Sequence, residues 1–306
     1  MPKQNDPGKH HYVPKCYLNS FISDGMLWKK VIKYDHYKKV FPVQVCWELN
    51  ANRIRDLNYP IFDGVEDPFV VEKTAFAIQE NNFQKYLHPL IEFKKAPIKV
   101  AYSDHHLFLA TLLTIKRRNP NTRRELINQF KNSPKKEHYD FIKDSIAEEY
   151  GVRLLTDADE KRIDAFLENE STNPDRLHDM YLNAFLNKET FTTLENIATD
   201  LLNLKSIILH CPSQSQFITS DNPGFVKCGD VVLNFGGFGG QYEFFFPLTP
   251  TTCLYLNSSL KDVPNNQKSV YPIAIEEAFV KQINRESKSV CMEQLFANKK
   301  IFLEQI

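Results

Sequence analysis

Ser206-Ile207-Ile208-Leu209-His210-Cys211-Pro212-Ser213-Gln214-Ser215-Gln216-Phe217-Ile218-Thr219-Ser220-Asp221-Asn222-Pro223 is where the chain changes its period. Upstream, apolar residues recur at helical spacing. From Ser206 onward the apolar runs are short, β-branched or aromatic, and broken by Gly, Pro, Ser or Asn. Strands are predicted over Ser206–Cys211, Gln216–Ser220, Val231–Phe235, Tyr242–Leu248 and Cys253–Asn257. Connections this short favour antiparallel pairing. A helix from about Ala274 to Ala297 is expected to cover one face of the sheet.

Working back toward the N-terminus, helical patterns fill 67–204. Asp67-Pro68 is a helix start, and Phe69, Phe76, Phe83, Leu87 and Leu90 place one apolar stripe on a helix from Pro68 to about Leu90. Ser103 or Asp104 is expected to cap the next helix, which is apolar on nearly every side from Leu107 to Ile115. It ends at Lys116-Arg117-Arg118-Asn119 before Pro120, with cations where the helix dipole favours them. Further helices are predicted over Arg123–Phe130, Glu137–Tyr150, Asp159–Asn169 and Asp175–Leu204. Near the N-terminus, Pro14 starts a short helix that puts Tyr17, Leu18 and Phe21 on one face, with His10 and His11 just ahead of it. Leu27–Tyr34 and Lys38–Val45 read as a hairpin around Asp35-His36-Tyr37, and Trp47–Pro60 as loop with a turn of helix. The result is one α+β domain over 1–306: an N-terminal helix and hairpin (10–60), a central helical region (67–204), and an antiparallel sheet with its covering helix (206–306).

Composition narrows the function classes. Lys plus Arg equals Asp plus Glu at 38 each, so no global field draws the protein to nucleic acid or an anionic membrane. The six cysteines, at 16, 46, 211, 228, 253 and 291, form no C-x-x-C pair and no zinc-type spacing with histidine. No apolar run spans a bilayer and no leader is visible, so the expected compartment is the cytoplasm, with reduced thiols.

Two polar stretches stand out against this background. In Thr219-Ser220-Asp221-Asn222-Pro223 a carboxylate, an amide and two hydroxyls lie just past a strand end, stiffened by Pro223. An Asx-turn, in which Asp221 and Asn222 satisfy nearby backbone, explains the same residues without a ligand. Arg118 ends a buried helix and so needs a carboxylate or phosphate partner. Lys116 to Lys136 holds eight Lys or Arg against one acid, Glu125, a patch for RNA, DNA or a nucleotide, or else a solvated helix face. Gly236-Gly237-Phe238-Gly239-Gly240 lacks the Lys-Ser/Thr ending of a phosphate loop and reads as a hairpin. Cys16 with His11 lacks a third, orienting group, and Glu72 and Glu80 are acids on the first long helix.

In order, His10-His11-Tyr12-Val13-Pro14, Tyr17-Leu18, Phe21, Arg118-Asn119-Pro120, Phe217-Ile218-Thr219-Ser220-Asp221-Asn222-Pro223, Pro247-Leu248-Thr249-Pro250 and Asn284 resemble the signature of the bacterial DUF4238 family, a domain of unknown function. Glu72, opening the first long helix, also looks like that family's acidic position. Cys16, Asn119 and Gly224 depart from it, where an aromatic, a Thr and a Val are usual. The resemblance implies one folded unit and no particular reaction. His10, His11, Arg118, Asp221 and Asn222 become the candidate catalytic set, with Asp221 and Glu72 as ligands for a divalent cation such as Mg²⁺ or Mn²⁺. Two expectations follow. The chain is a hydrolase of a phosphodiester or nucleotide, a nuclease-like toxin or phage-defence effector; or it is a non-catalytic interaction module in which a buried His/Arg/Asp network locks the N-terminal helix to the sheet.

Overall fold

The computed structural model describes residues 9–58, 64–132, 156–158, 161, 165, 173–186, 196–236, 238–262 and 266–306. Helices predicted over Glu137–Tyr150 and most of Asp159–Asn169 lie outside them, as do Lys135 and Lys136. The fold is α+β. Its strands are β1 (Lys9–His11), β2 (Leu27–Val31), β3 (His36–Val40), β4 (Trp47–Leu49), β5 (Ile98–Ala101), β6 (Ser206–His210), β7 (Thr219–Ser220), β8 (Phe225–Cys228), β9 (Val231–Leu233), β10 (Glu243–Thr249), β11 (Thr252–Asn257), β12 (Gln267–Ala274) and β13 (Gln294–Ala297).

Seven of them form the main sheet, in the order β5-β12-β6-β11-β10-β8-β9. Pairing is antiparallel except between β6 and β12, so the expected all-antiparallel sheet is in fact mixed. In β10, Phe244 and Phe246 point to one face and Phe245 to the other, and all three are buried. A strand that is apolar at every position needs cover on both sides, and it has it. Helices α2 (Ala77–Ile91) and α3 (Tyr102–Arg117) pack on one face through Phe83, Leu87, Phe108 and Leu112. A helix over Glu277–Ser289 packs on the other through Val280 and Ile283. This is the covering helix expected near Ala274–Ala297, shortened at both ends because Ala274 belongs to β12 and Gln294–Ala297 to β13.

The remaining strands carry the N-terminal elements. A four-stranded sheet runs β3-β2-β13-β7, so the hairpin is joined to the strand that ends in the Thr219-Ser220 motif. The hairpin turn sits earlier than expected, in a 3-10 turn at Ile32–Tyr34 followed by Asp35 in the left-handed region (φ 46°). His10 and His11 do not precede a helix as loop; they lie in β1, paired antiparallel with β4, a strand in what the sequence suggests is loop. The short helix α1 (Lys15–Leu18) follows, and it buries Tyr17, Leu18 and, one turn on, Phe21. Neither Ser103 nor Asp104 caps α3, whose N-cap is Ala101 with no side-chain bond. Past α3, α4 (Pro120–Asn132) leads off from the Arg118-Asn119-Pro120 corner.

Candidate functional site

The expected polar residues separate into two networks that meet at the end of α3. The first is built on the first long helix. Its opening turn, Glu72–Phe76, is π-helical and runs directly into α2. Residues eight apart on an unbroken α-helix sit about 80° apart around the axis; one residue inserted by a π turn reduces that to about 20°. Glu72 and Glu80 therefore share one face, with Phe76 between them. The Arg118 guanidinium lies along that stripe, 3.9 Å above the Phe76 ring. It is 2.5 Å from Glu80 Oε1 and 3.9 Å from Glu72 Oε2, and it donates to the backbone oxygen of His11. Arg118 is buried, whereas the two carboxylates keep about a quarter of their surface open (25% and 27%). The arginine is the floor of the site and the carboxylates face outward from it.

The two histidines do different things. His10 is buried edge-on against Phe69, and its Nδ1 accepts the Asn52 backbone N–H at 2.7 Å. Asn52 in turn donates its side-chain amide to Glu72 Oε2 at 2.6 Å, so His10 orients the loop that holds a site carboxylate. His11 lies in the electrostatic field of Glu80, Arg118 and Glu72, and its backbone oxygen accepts from Arg118. Burial lowers its pKa below the usual histidine value, against the opposing effect of a backbone hydrogen bond to Val43. Its Nε2 is buried without a hydrogen-bond partner. Near neutral pH this is a neutral imidazole with a nitrogen to offer. Cys16 is adjacent, but burial, with Glu80 adding to it, pushes its thiol up to about 12. That removes the thiolate a nucleophilic Cys16 would require.

The second network surrounds Asp221, which is buried. Its Oδ1 accepts the Met292 N–H at 2.9 Å and the Cys291 thiol at 3.3 Å; its Oδ2 accepts the Glu293 and Gln294 N–H groups at 2.8 and 2.9 Å. Burial raises its pKa and these donors oppose the rise. The arrangement clamps the turn that leads into β13. Asn222 is similarly engaged, accepting from Lys116 Nζ at 2.6 Å and donating to Val290 O at 2.6 Å. Asn284 bonds both Ile218 N and Gln216 O, and the Tyr17 hydroxyl meets Thr219 Oγ1 at 2.6 Å. Lys116, expected in a basic surface patch, is instead fully buried and also donates to Gly224 O at 2.8 Å. Burial lowers its pKa to about 7. Gly224 is required here by geometry: its φ is +74°, and a β-carbon would lie 2.5 Å from Phe246 Cδ2.

Of the expected set, the structure thus brings His11, Arg118 and Glu72 together, supports them with His10, and places Asp221 and Asn222 in a separate clamp. Asp221 and Glu72, paired in the sequence reading as cation ligands, have no hydrogen-bond partner in common. Among the described residues no three His, Cys, Asp or Glu side chains come together as metal ligands. Of the cations between Lys116 and Lys136, Arg123 bonds Glu48 at 2.6 Å and Arg117 packs over Phe185 at 5.1 Å. Asn52 is a site residue the sequence does not reveal, since nothing in Ala51-Asn52-Arg53 distinguishes it from ordinary loop.

The profile of the family described as "Protein of unknown function (DUF4238)" matches residues 9–301, nearly the whole chain. No curated protein and no solved structure matches it. Among the described residues no helix is long and apolar enough to cross a membrane.

Proposed function

The chain belongs to the DUF4238 family, whose description names no activity, and from the site geometry we propose that it hydrolyses a phosphodiester or nucleotide at the His11–Glu72–Glu80 cluster. The observation that carries this reading is the unpartnered Nε2 of His11, in the field of two partly open carboxylates, Glu72 on the π-helical turn and Glu80 on α2. A buried polar atom without a partner destabilises the fold by about 1–3 kcal/mol, and π turns are frequent at functional sites.

In this reading His11 Nε2 takes a proton from water, the water oxygen attacks phosphorus, and the bond from phosphorus to the departing oxygen breaks. Glu72 and Glu80 orient the water; a divalent cation, if bound, would be held by these two carboxylates and would supply charge stabilisation at the phosphate. Arg118 already serves both carboxylates and the His11 carbonyl. Its role is to position them, not to clamp phosphate as the sequence suggested. We place the reaction in the cytoplasm, consistent with six free cysteines.

The test is hydrolysis of RNA, DNA and nucleoside phosphates by purified protein with Mn²⁺ or Mg²⁺. His11→Ala is expected to lower the rate about 10²- to 10⁴-fold. Because burial lowers the His11 pKa and the base must be unprotonated, wild-type activity should persist below pH 6.5 before falling. No hydrolysis of any of these substrates, or an unchanged rate in His11→Ala, refutes the assignment. The second reading, a non-catalytic interaction module, has its own support in the fully bonded Asp221–Asn222 clamp. It is the better description of that half of the signature.

A further inference from the structure

The β2–β3 hairpin carries charge that the site does not use. Between Trp28 and Val43 the chain has five lysines and one acid, Asp35, which Lys30 already binds at 3.1 Å. Lys29 and Lys38 are direct cross-strand partners. Like charges in that position destabilise a sheet. No carboxylate lies within ion-pairing distance of Lys29, Lys33, Lys38 or Lys39 among the described residues. Lysines on an edge strand can serve to block unwanted pairing. That accounts for Lys38 and Lys39 on β3, but not for Lys29, whose strand is paired on both sides.

Aromatic rings are interleaved with these cations. Tyr34, at the hairpin turn, is 70% exposed with Lys33 Nζ 5.3 Å from its ring, and Phe41 is 48% exposed at the other end of β3. The strip then leads into the site. Phe41 is followed by the 3-10 turn Pro42–Gln44, and the His11 ring is bonded to the backbone of Val43 in that turn.

We propose that the hairpin is a binding track for single-stranded nucleic acid, with Lys29, Lys33 and Lys38 on the phosphates and Tyr34 and Phe41 stacking on unpaired bases, while Lys39, on the opposite face of β3, covers the Trp28 ring. Exposed rings beside lysines suit single strands, because a duplex hides its base faces. This deepens the proposed hydrolase reading by naming its substrate class, and the track ends at the base that would cut.

The test is fluorescence anisotropy of full-length protein with 5′-labelled 12-nucleotide oligo(U) RNA and oligo(dT) DNA, titrated with salt. Three phosphate contacts give a log–log slope of about −2.1, whose magnitude should fall by about 1.4 in Lys29→Ala/Lys38→Ala. Tyr34→Ala should weaken binding roughly fivefold or more with the slope unchanged. A poly-glutamate peptide of equal charge should compete poorly, since it offers nothing to stack. Equal competition by that peptide, no binding of either oligonucleotide, or an unchanged slope in a lysine variant that melts like wild type would each overturn the proposal. Binding is scored with His11→Ala as well. Binding without cleavage by the wild type would sink the hydrolase assignment and leave the track standing.

Discussion

Asp221→Asn separates the two networks most sharply. The carboxylate accepts three backbone N–H groups through two oxygens, one on Oδ1 and two on Oδ2, at 2.8–2.9 Å, and the site is closed to water. An amide of the same shape keeps one acceptor and turns a donor toward the other side. If its NH₂ replaces Oδ2, two buried N–H groups lose their partner; if it replaces Oδ1, one does. At about 1–3 kcal/mol for each stranded donor, the cheaper orientation, which strands the Met292 N–H alone among the three, costs about 1–3 kcal/mol, within the 5–15 kcal/mol typical of a folded domain. The variant should therefore fold, and urea denaturation followed by circular dichroism should show a lower midpoint at an unchanged slope. A midpoint within about 1 kcal/mol of wild type would show that the clamp contributes little to the fold, and would return Asp221 to the list of residues kept for chemistry.

Two more outcomes follow from the buried cations. Lys116 titrates at about 7 in the fold against a usual 10.5, so between these values the unfolded chain binds more protons and stability rises with pH. Below about 7 both forms are charged and this group adds no slope. Raising the pH from 7 to 9 should therefore add about 2 kcal/mol through Lys116, an increment that Lys116→Met removes in paired urea titrations. Arg118→Met keeps the packing over Phe76 but strands Glu80 and opens the His11 carbonyl. Because the carboxylates are a quarter exposed, the expected destabilisation is about 2 kcal/mol, below the range for a fully buried pair, and it should be accompanied by loss of any His11-dependent hydrolysis. A stable, active Arg118→Met would show that the carboxylates need no anchor.

How much of this was legible from the residues varied with burial. Strands β6, β10 and β11 announce themselves because both sheet faces are covered and their central positions are apolar, as in Phe244-Phe245-Phe246, whereas β8, which carries Lys227 and lies next to Gly224, does not. Strands β1, β4 and β13 are short and carry His, Glu, Trp or Gln, so their pairing is fixed by distant partners rather than by their own pattern. Pro272 hides β12, since proline disfavours an interior strand. The sheet admits it because β12 leaves β5 after Val270 and continues on β6 alone, so past that point one side needs no backbone donor. At the site, Arg118 could be identified as buried and in need of a carboxylate, and Glu80 supplies one. That Glu72 joins it could not be read from helical spacing, because the π turn changes the phase between residues 72 and 80.

The short corner from Lys116 to Asn119 explains why two such different networks occur in one signature. Four consecutive residues at the end of α3 point to four places. Lys116 runs into the core to Asn222 and Gly224; Arg117 packs on Phe185 and offers its carbonyl to the Tyr181 hydroxyl at 2.7 Å. Arg118 turns to the carboxylates and to β1, and Asn119 donates its amide to the Asp221 carbonyl at 2.8 Å. A helix end can send neighbouring side chains about 100° apart in this way only if its last turn is fixed. Here Pro120 ends the helix and the Thr122 hydroxyl bonds the Lys116 carbonyl at 3.1 Å. The Asp221–Asn222 clamp holds this corner from below, and the corner holds Arg118, on which His11, Glu72 and Glu80 depend. Loosening the clamp should therefore disturb the site through Arg118 even though Asp221 touches none of its three outward groups. The signature joins a site to the part of the fold that keeps it in register.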